Sequence, residues 1–226
     1  MKDKKYRDEE GLFVVEGEKL VREALDSGYN VEAVFRSSEI GEKTMERISL
    51  LNSPSPVLAL VRKPLPEKDF RLENGGLYLA LDAIRDPGNM GTVLRLADWF
   101  GIDAVFASRD SVDIFNPKVV QSTMGAIFRV KFHYCDLVPL FKNSDARIFG
   151  TFLQGENIYA ANLESDRPRV IVIGNEANGI SSPVSECCTG RLTIPSFAKG
   201  NGSESLNAAV ATAITVSEFR RRLPAK

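Results

Sequence analysis

LYLALDAIRDPGNMGTVLRLADWFG, residues Leu77 to Gly101, decides the fold class. It opens on an unbroken apolar run, Leu77 to Leu81, of the length and character of a strand buried on both faces. Asp86-Pro87-Gly88-Asn89 then reads as a turn. A helix is expected from Met90 to Phe100, its apolar face set by Met90, Val93, Leu94 and Ala97. Asn89 stands where an N-cap belongs. Arg95 lies off the apolar stripe, and helical side chains lean toward the N-terminus, which lets it reach back to the turn. A cap and a solvated surface charge account for the same two residues.

Working outward, the pattern repeats. Strand candidates recur at Ala104–Phe106, Val130–Phe132, Arg147–Phe152 and Val170–Ile173, with a further helix candidate at Leu137–Phe141. Continuous apolar strands alternating with helices imply an α/β fold with a parallel sheet covered on both faces. Upstream, LFVVEG, VEAVFRS and PVLALVR read as strands and TMERISLL as a helix. EKLVREALDSG reads as a helix with Leu20, Ala24 and Leu25 on one face and Gly28 as its stop. The polar stretch KPLPEKDFRLENGG then marks a boundary. The expected division is a small α/β domain over 1–70 and a larger one over 71–226.

Two more turns carry possible chemistry. VIVIGNEANGIS runs a buried strand into Gly174-Asn175-Glu176-Ala177-Asn178-Gly179. A carboxylate between glycines at a strand's C-terminal end suits a ligand crevice of an open sheet, and equally a tight structural turn. IPSFAKGNGSESLNAAVATAI, Ile194 to Ile214, passes from an apolar start through a loop holding Gly200 and Gly202 into a helix. Ser203 and Ser205 precede that helix as candidate caps, and Leu206, Val210, Ala213 and Ile214 form one apolar face.

The whole chain of 226 residues, 43% hydrophobic and 26% charged, has a globular composition. A net charge of −1 gives no global nucleic-acid footprint. The basic ends MKDKKYR and FRRRLPAK read as solvated, with phosphate contact the minor alternative. No apolar run approaches the roughly 20 residues of a membrane helix. MKDKKYRDEE lacks a signal-peptide core, and Cys135, Cys187 and Cys188 fit neither a disulfide framework nor a metal site. A reduced, cytoplasmic setting without a metal is expected. The single histidine, His133, sits in a strand-like run, which argues against histidine-based catalysis. GNMG lacks the order of a dinucleotide fingerprint, and no P-loop sequence occurs.

Taken together, the three turns carry a resemblance. Asn89 to Arg95 matches N-x-G-x-x-x-R, Gly174 to Gly179 resembles G-x-E-x-x-G, and Ile194-Pro195 followed by Ser205-Leu206-Asn207 resembles I-P then S-L-N. The chain resembles the SpoU, or TrmH, family of RNA ribose 2′-O-methyltransferases of the SPOUT superfamily. NPKVVQSTMGAIFRV also resembles a family segment, and the likeness covers about Leu77 to Phe219. The first region resembles, more loosely, an L30e-like RNA-binding domain.

The resemblance implies a trefoil-knotted domain, S-adenosyl-L-methionine as cofactor, a homodimer, and structured RNA as substrate. Arg95 takes the central catalytic part by family likeness. Because a guanidinium keeps its proton, orientation and electrostatic stabilisation suit it better than base catalysis. Asn89 would position Arg95 or the RNA, and Glu176, Ser205 and Asn207 would orient the reacting groups. Backbone at Gly174, Ile194 and Leu206 would contact the cofactor. The N-terminal unit favours 23S ribosomal RNA over transfer RNA, and its removal is expected to spare cofactor binding. Two departures stand out: Ser196 where methionine is common, in a lengthened loop from Pro195 to Ser205, and Gln121 in place of a frequent arginine. The alternatives are a non-catalytic RNA-binding protein of the same fold, or a nucleotide-binding α/β enzyme using the same turns.

Overall fold

A computed structural model describes residues 1–65, 70–198 and 204–222. The first region comprises α1 (Lys4–Glu10), β1 (Leu12–Glu16), α2 (Glu18–Asp26), β2 (Val31–Arg36), α3 (Ser37–Ile40), α4 (Glu42–Ile48) and β3 (Val57–Arg62). Its three strands form an antiparallel sheet in the order β1-β3-β2. Strand alternation sends Phe13, Val15, Val57, Ala59 and Val61 to the face under α2, and Val14 and Leu58 to Met45 of α4. The buried arc of α2 is Leu20, Val21 and Ala24, while Leu25 is exposed. Leu25 falls about 100° beyond Ala24, off the edge of that arc.

The second region comprises β4 (Leu77–Leu81), α5 (Pro87–Trp99), β5 (Ala104–Ala107), α6 (Pro117–Thr123), β6 (Phe132–Tyr134), α7 (Leu137–Lys142), β7 (Arg147–Asn157), β8 (Arg169–Ile173), α8 (Ser182–Ser185), β9 (Gly190–Thr193) and α9 (Ala208–Arg221). Six strands form one sheet in the order β6-β5-β4-β8-β7-β9, every pair parallel. Leu77, Leu79 and Leu81 point to the side of α5 and α9, whereas Tyr78 and Ala80 point to α7 and α8. Burial on both faces is why these strands read as unbroken apolar runs. The strand expected at Val130–Phe132 lies at Phe132–Tyr134, and β9 and α6 had no periodic signal of their own.

From β4 the chain builds outward to β5 and β6, then returns to place β8 on the other side of β4. β4 and β8 stay paired to their C-terminal ends, but the connections leaving them run to opposite sides of the sheet, and such a switch point is where an open α/β sheet takes its ligands. Helices α5 and α9 run side by side in the same direction. Asn89 meets Asn207 at their starts, and Arg220 donates to the carbonyls of Phe100 and Gly101 at their ends.

The two sheets share a core. Phe13 packs on Phe115 and Phe128, and Val120 and Ile127 join the cluster under the small sheet. The Tyr29 hydroxyl donates to the Ile127 carbonyl at 3.2 Å. Arg7, 2% exposed, pairs with Asp113 at 2.7 Å and also donates to the carbonyls of Met1 and Lys2. Of the basic N-terminus, Arg7 anchors α1 to the loop after β5, whereas Lys2, Lys4 and Lys5 are exposed, as a solvated end would be. The basic C-terminus is occupied: Arg221 and Arg222 bind Glu218, and Arg222 donates to the carbonyls of Ile158, Tyr159 and Ala161.

The last helix turns its faces opposite to expectation. Ala208, Ala209, Thr212, Thr215, Val216 and Phe219 are buried, whereas Leu206 and Val210 are exposed and Ala213 and Ile214 half-buried. Small residues and threonines let α9 lie close to α5 and β8. The stripe richest in large aliphatics faces outward.

Candidate functional site

The site is built where α5, the turn after β8 and the start of α9 meet. Asp86, not Asn89, caps α5: its Oδ1 accepts the Asn89 N–H at 2.7 Å, and Pro87 opens the helix. Asn89 is thereby inside the first turn, with its side chain free for other partners. Its Nδ2 donates to Glu176 Oε1 at 2.8 Å, and its Oδ1 accepts from Asn207 Nδ2 at 2.9 Å. Asn207 Oδ1 in turn accepts the N–H groups of Ala209 and Val210, capping α9. The cap of α9 is therefore Asn207 rather than Ser205; Ser203, Gly200 and Gly202 lie outside the described residues. One hydrogen-bonded chain, Glu176–Asn89–Asn207, joins three segments far apart in sequence.

Glycines of the motifs serve close approach. A Cβ on Gly91 would stand 2.3 Å from Ser122 Cβ, so this glycine admits α6 against α5. A Cβ on Gly174 would meet the backbone of Gly179 and Ile180 at 2.2 and 2.3 Å. The crowding at Gly174 comes from the turn closing on itself, which Asn175 and Gly179 do through reciprocal backbone bonds of 2.9 Å.

Arg95 is on the exposed side of α5 and makes no hydrogen bond or ion pair among the described residues. Asn89 holds Glu176 and Asn207, not Arg95. Four residues on, Trp99 is 85% exposed, an unusual degree for a large aromatic. Ser205 and Leu206 are exposed just before the cap of α9, and Ile194 is half-buried against the main core.

A further segment went unremarked in the sequence. β7 and β9 lose register between Thr151 and Glu156, both of which pair with Leu192, so Phe152 to Gly155 forms a bulge within β7. Thr193 Oγ1 donates to the Leu153 carbonyl at 3.2 Å, and a Cβ on Gly155 would meet the Arg191 carbonyl oxygen at 2.5 Å. Leu153 and Phe197 are both exposed there. Gly155, an isolated glycine in a strand-like run, was the available signal. Backbone groups beside exposed apolar surface at the ends of β7, β8 and β9 suit an adenosyl cofactor: apolar faces for a base, and amides and carbonyls for its edges. No group of three or more His, Cys, Asp and Glu among the described residues could hold a metal ion.

A parallel α/β sheet with a hydrogen-bonded polar link at its switch point defines a ligand-binding enzyme class rather than a particular chemistry. Comparison supplies the rest. Residues 76–217 match the SpoU rRNA Methylase family, and residues 1–57 match an MRM3-like substrate binding domain. The chain belongs to the SpoU rRNA methylase family. It is 30% identical to a 23S rRNA (guanosine(2553)-2′-O)-methyltransferase, RlmP of Bacillus subtilis, over 96% of this chain and 92% of that protein. A TrmH-family structure from Porphyromonas gingivalis superposes with a TM-score of 0.87 at 38% identity, covering 98% and 94% of the two chains. An AdoMet-bound rRNA methyltransferase from Sinorhizobium meliloti superposes with a TM-score of 0.88 at 28% identity, over 99% and 92%.

Proposed function

We propose that this protein transfers a methyl group from S-adenosyl-L-methionine to a ribose 2′-hydroxyl of ribosomal RNA. The observation that carries the reading is the Glu176–Asn89–Asn207 chain, which joins all three family motifs through side-chain hydrogen bonds. When bound, the cofactor supplies an electrophilic methyl group, and the protein's task is to hold the hydroxyl in line with it. The segments at Phe152–Gly155, Gly174–Ile180 and around Ile194 and Leu206 would hold the cofactor. Glu176, Asn89, Asn207 and Ser205 would orient the ribose, and Arg95 would stabilise charge on the 2′-oxygen.

Arg95 reaches that role through a homodimer. It shares the outward side of α5 with Trp99, and beside it Leu206, just before α9, and Val210, on α9, are exposed, with Ala213 and Ile214 half-buried. An outward aliphatic stripe with an exposed tryptophan fits a subunit interface. Pairing there brings Arg95 to a second copy's site. The division at about residue 70 belongs to the same reading, the small sheet serving as the RNA-binding domain. So does the trefoil knot: the chain must return from β9, at the sheet edge, to α9 against α5. The free cysteines and an rRNA substrate fit a cytoplasmic enzyme, and among the described residues no helix is long and apolar enough to cross a membrane.

The test is transfer of labelled methyl from the cofactor to ribosomal RNA fragments and to transfer RNA, with the methylated nucleotide mapped. Transfer to rRNA, lost in Arg95→Ala, supports the reading. Cofactor binding without transfer would instead leave a non-catalytic RNA-binding protein. Val210→Glu should give a monomer by sedimentation, with activity lost in parallel; an active monomer would detach Arg95 from the interface.

A further inference from the structure

The turn that carries Glu176 is fastened from the end of β4, by a residue with no part in the reading so far. Asp82 follows Leu81 and is 5% exposed. Its backbone N–H donates to the Ile173 carbonyl at 2.9 Å, where the turn begins. Its Oδ2 accepts the Ser181 N–H at 2.7 Å, where the turn ends. The next residue, Ala83, has a φ of 57°, a left-handed conformation that a non-glycine residue keeps only when its surroundings impose it. In that conformation its carbonyl accepts from Asn175 Nδ2 at 2.7 Å, and its N–H donates to Ser108 Oγ at 2.8 Å.

Between these fastenings stands Glu176, its neighbour Asn175 also accepting the N–H groups of Ala177 and Asn178. Burying a carboxylate is costly, and a plain turn would not need one. What a carboxylate adds is a short, strong, directional bond to the amide. Ser181 is also the residue at which the chain enters α8, so the bond fixes the turn relative to both the sheet and the next helix.

We propose that Asp82 is a positioning residue: through the Ser181 amide it fixes the Gly174–Ile180 turn, and so the place of Glu176 against Asn89. It touches no substrate. The inference rests on the methyl-transfer reading, in which Glu176 orients the reacting groups. A displacement of the order of 1 Å at a reacting centre can cost about 10²-fold in rate.

The experiment uses the full chain and ribosomal RNA, with kcat, KM, cofactor affinity by calorimetry and thermal midpoint measured for each variant. Wild-type protein comes first, since no transfer by it would fail the functional reading and not this one. Given transfer, Asp82→Ala should lower kcat about 30- to 100-fold while cofactor affinity changes less than about 3-fold. In a Glu176→Ala background the same change should cost less than about 3-fold further, because the residue it positions is gone. Asp82→Asn, which keeps an acceptor oxygen but not the charge, should recover part of the rate and fall between Asp82→Ala and wild type. Should Asp82→Ala not fold, Ser181→Pro removes the donor instead, at a position whose φ of −62° accepts proline. It should show the same loss of kcat and the same dependence on Glu176. A wild-type kcat in either variant overturns the proposal, as does an equal loss with and without Glu176.

Discussion

At the seam between the two sheets, Phe13, Phe115, Phe128, Val120 and Ile127 pack together, and a buried ion pair, Arg7–Asp113, ties α1 to the loop after β5. Beyond the ends of β4 and β8, the buried Asn89 links Glu176 and Asn207 through direct bonds of 2.8 and 2.9 Å. Both places tie together residues about a hundred positions apart. The seam does so by apolar burial, which is strong and has no preferred partner. The polar link does so with amides and a carboxylate, whose hydrogen bonds add only modest net stability but fix direction. The difference separates what keeps this chain folded from what gives it chemistry.

The sharpest way to break that contrast is to remove residues 1–65. On sequence grounds the small unit is detachable, and its loss should spare cofactor binding. The shared core says otherwise: Phe115, Val120, Ile127 and Phe128 would be left facing solvent. The remaining fragment should lose its cooperative melting transition or aggregate. A monodisperse fragment that melts cooperatively and binds S-adenosylmethionine would return the seam to an ordinary domain interface.

Next in size is Asp113→Ala, which strands a guanidinium that is 2% exposed. Removing one partner of a buried pair costs about 3–5 kcal/mol. The loss should show in urea unfolding, with kcat of the protein that remains folded unchanged. A loss below about 1 kcal/mol would show that Arg7 is held by the Met1 and Lys2 carbonyls alone.

Asn89→Ala should do the reverse. Two side-chain hydrogen bonds go, at about 1 kcal/mol each, but methyl transfer should fall about 10²-fold because Glu176 and Asn207 lose their common link. Near-normal transfer with a large drop in stability would make the polar link a piece of scaffolding.

The two regions were also unequally legible in the sequence. The three site motifs could be read because each couples a strand end to a turn, and Met90, Val93, Leu94 and Ala97 are buried as their spacing implied. The seam could not be read, because Arg7 and Phe115 carry no period and meet only in three dimensions. Periodicity also gives a face without saying what covers it. The stripe Leu206–Val210–Ala213–Ile214 is real, yet it faces outward, since Thr212 and Thr215 allow the closer approach to α5. Capping was misassigned by one turn at α5, because Asp86 and Asn89 are both good caps and the choice between them depends on where Pro87 starts the helix. The C-terminal arginines read as solvated charges, with phosphate contact the minor alternative, until the carbonyls and the carboxylate that hold them are in view.

That last cluster gives the smallest effect, and one with a pH signature. Glu218 Oε1 lies 2.8 Å from both Arg221 Nη2 and Arg222 Nη2. Its carboxyl is lowered to about 2 from an ordinary 4.5, first by the bond from Arg221 and then by that from Arg222, with burial opposing both. A depressed carboxyl contributes stability that is fully present above the unfolded value and is lost as pH falls through the folded one. Wild-type protein should therefore lose this contribution between about pH 4.5 and pH 2. Glu218→Gln removes the titration, so the gap between the two proteins in urea midpoint should be widest near pH 6 and close toward pH 2. A gap that stays constant across that range would mean that Glu218, on the buried side of α9, acts by packing and not through its charge, which would place this end of the chain with the seam rather than with the polar link.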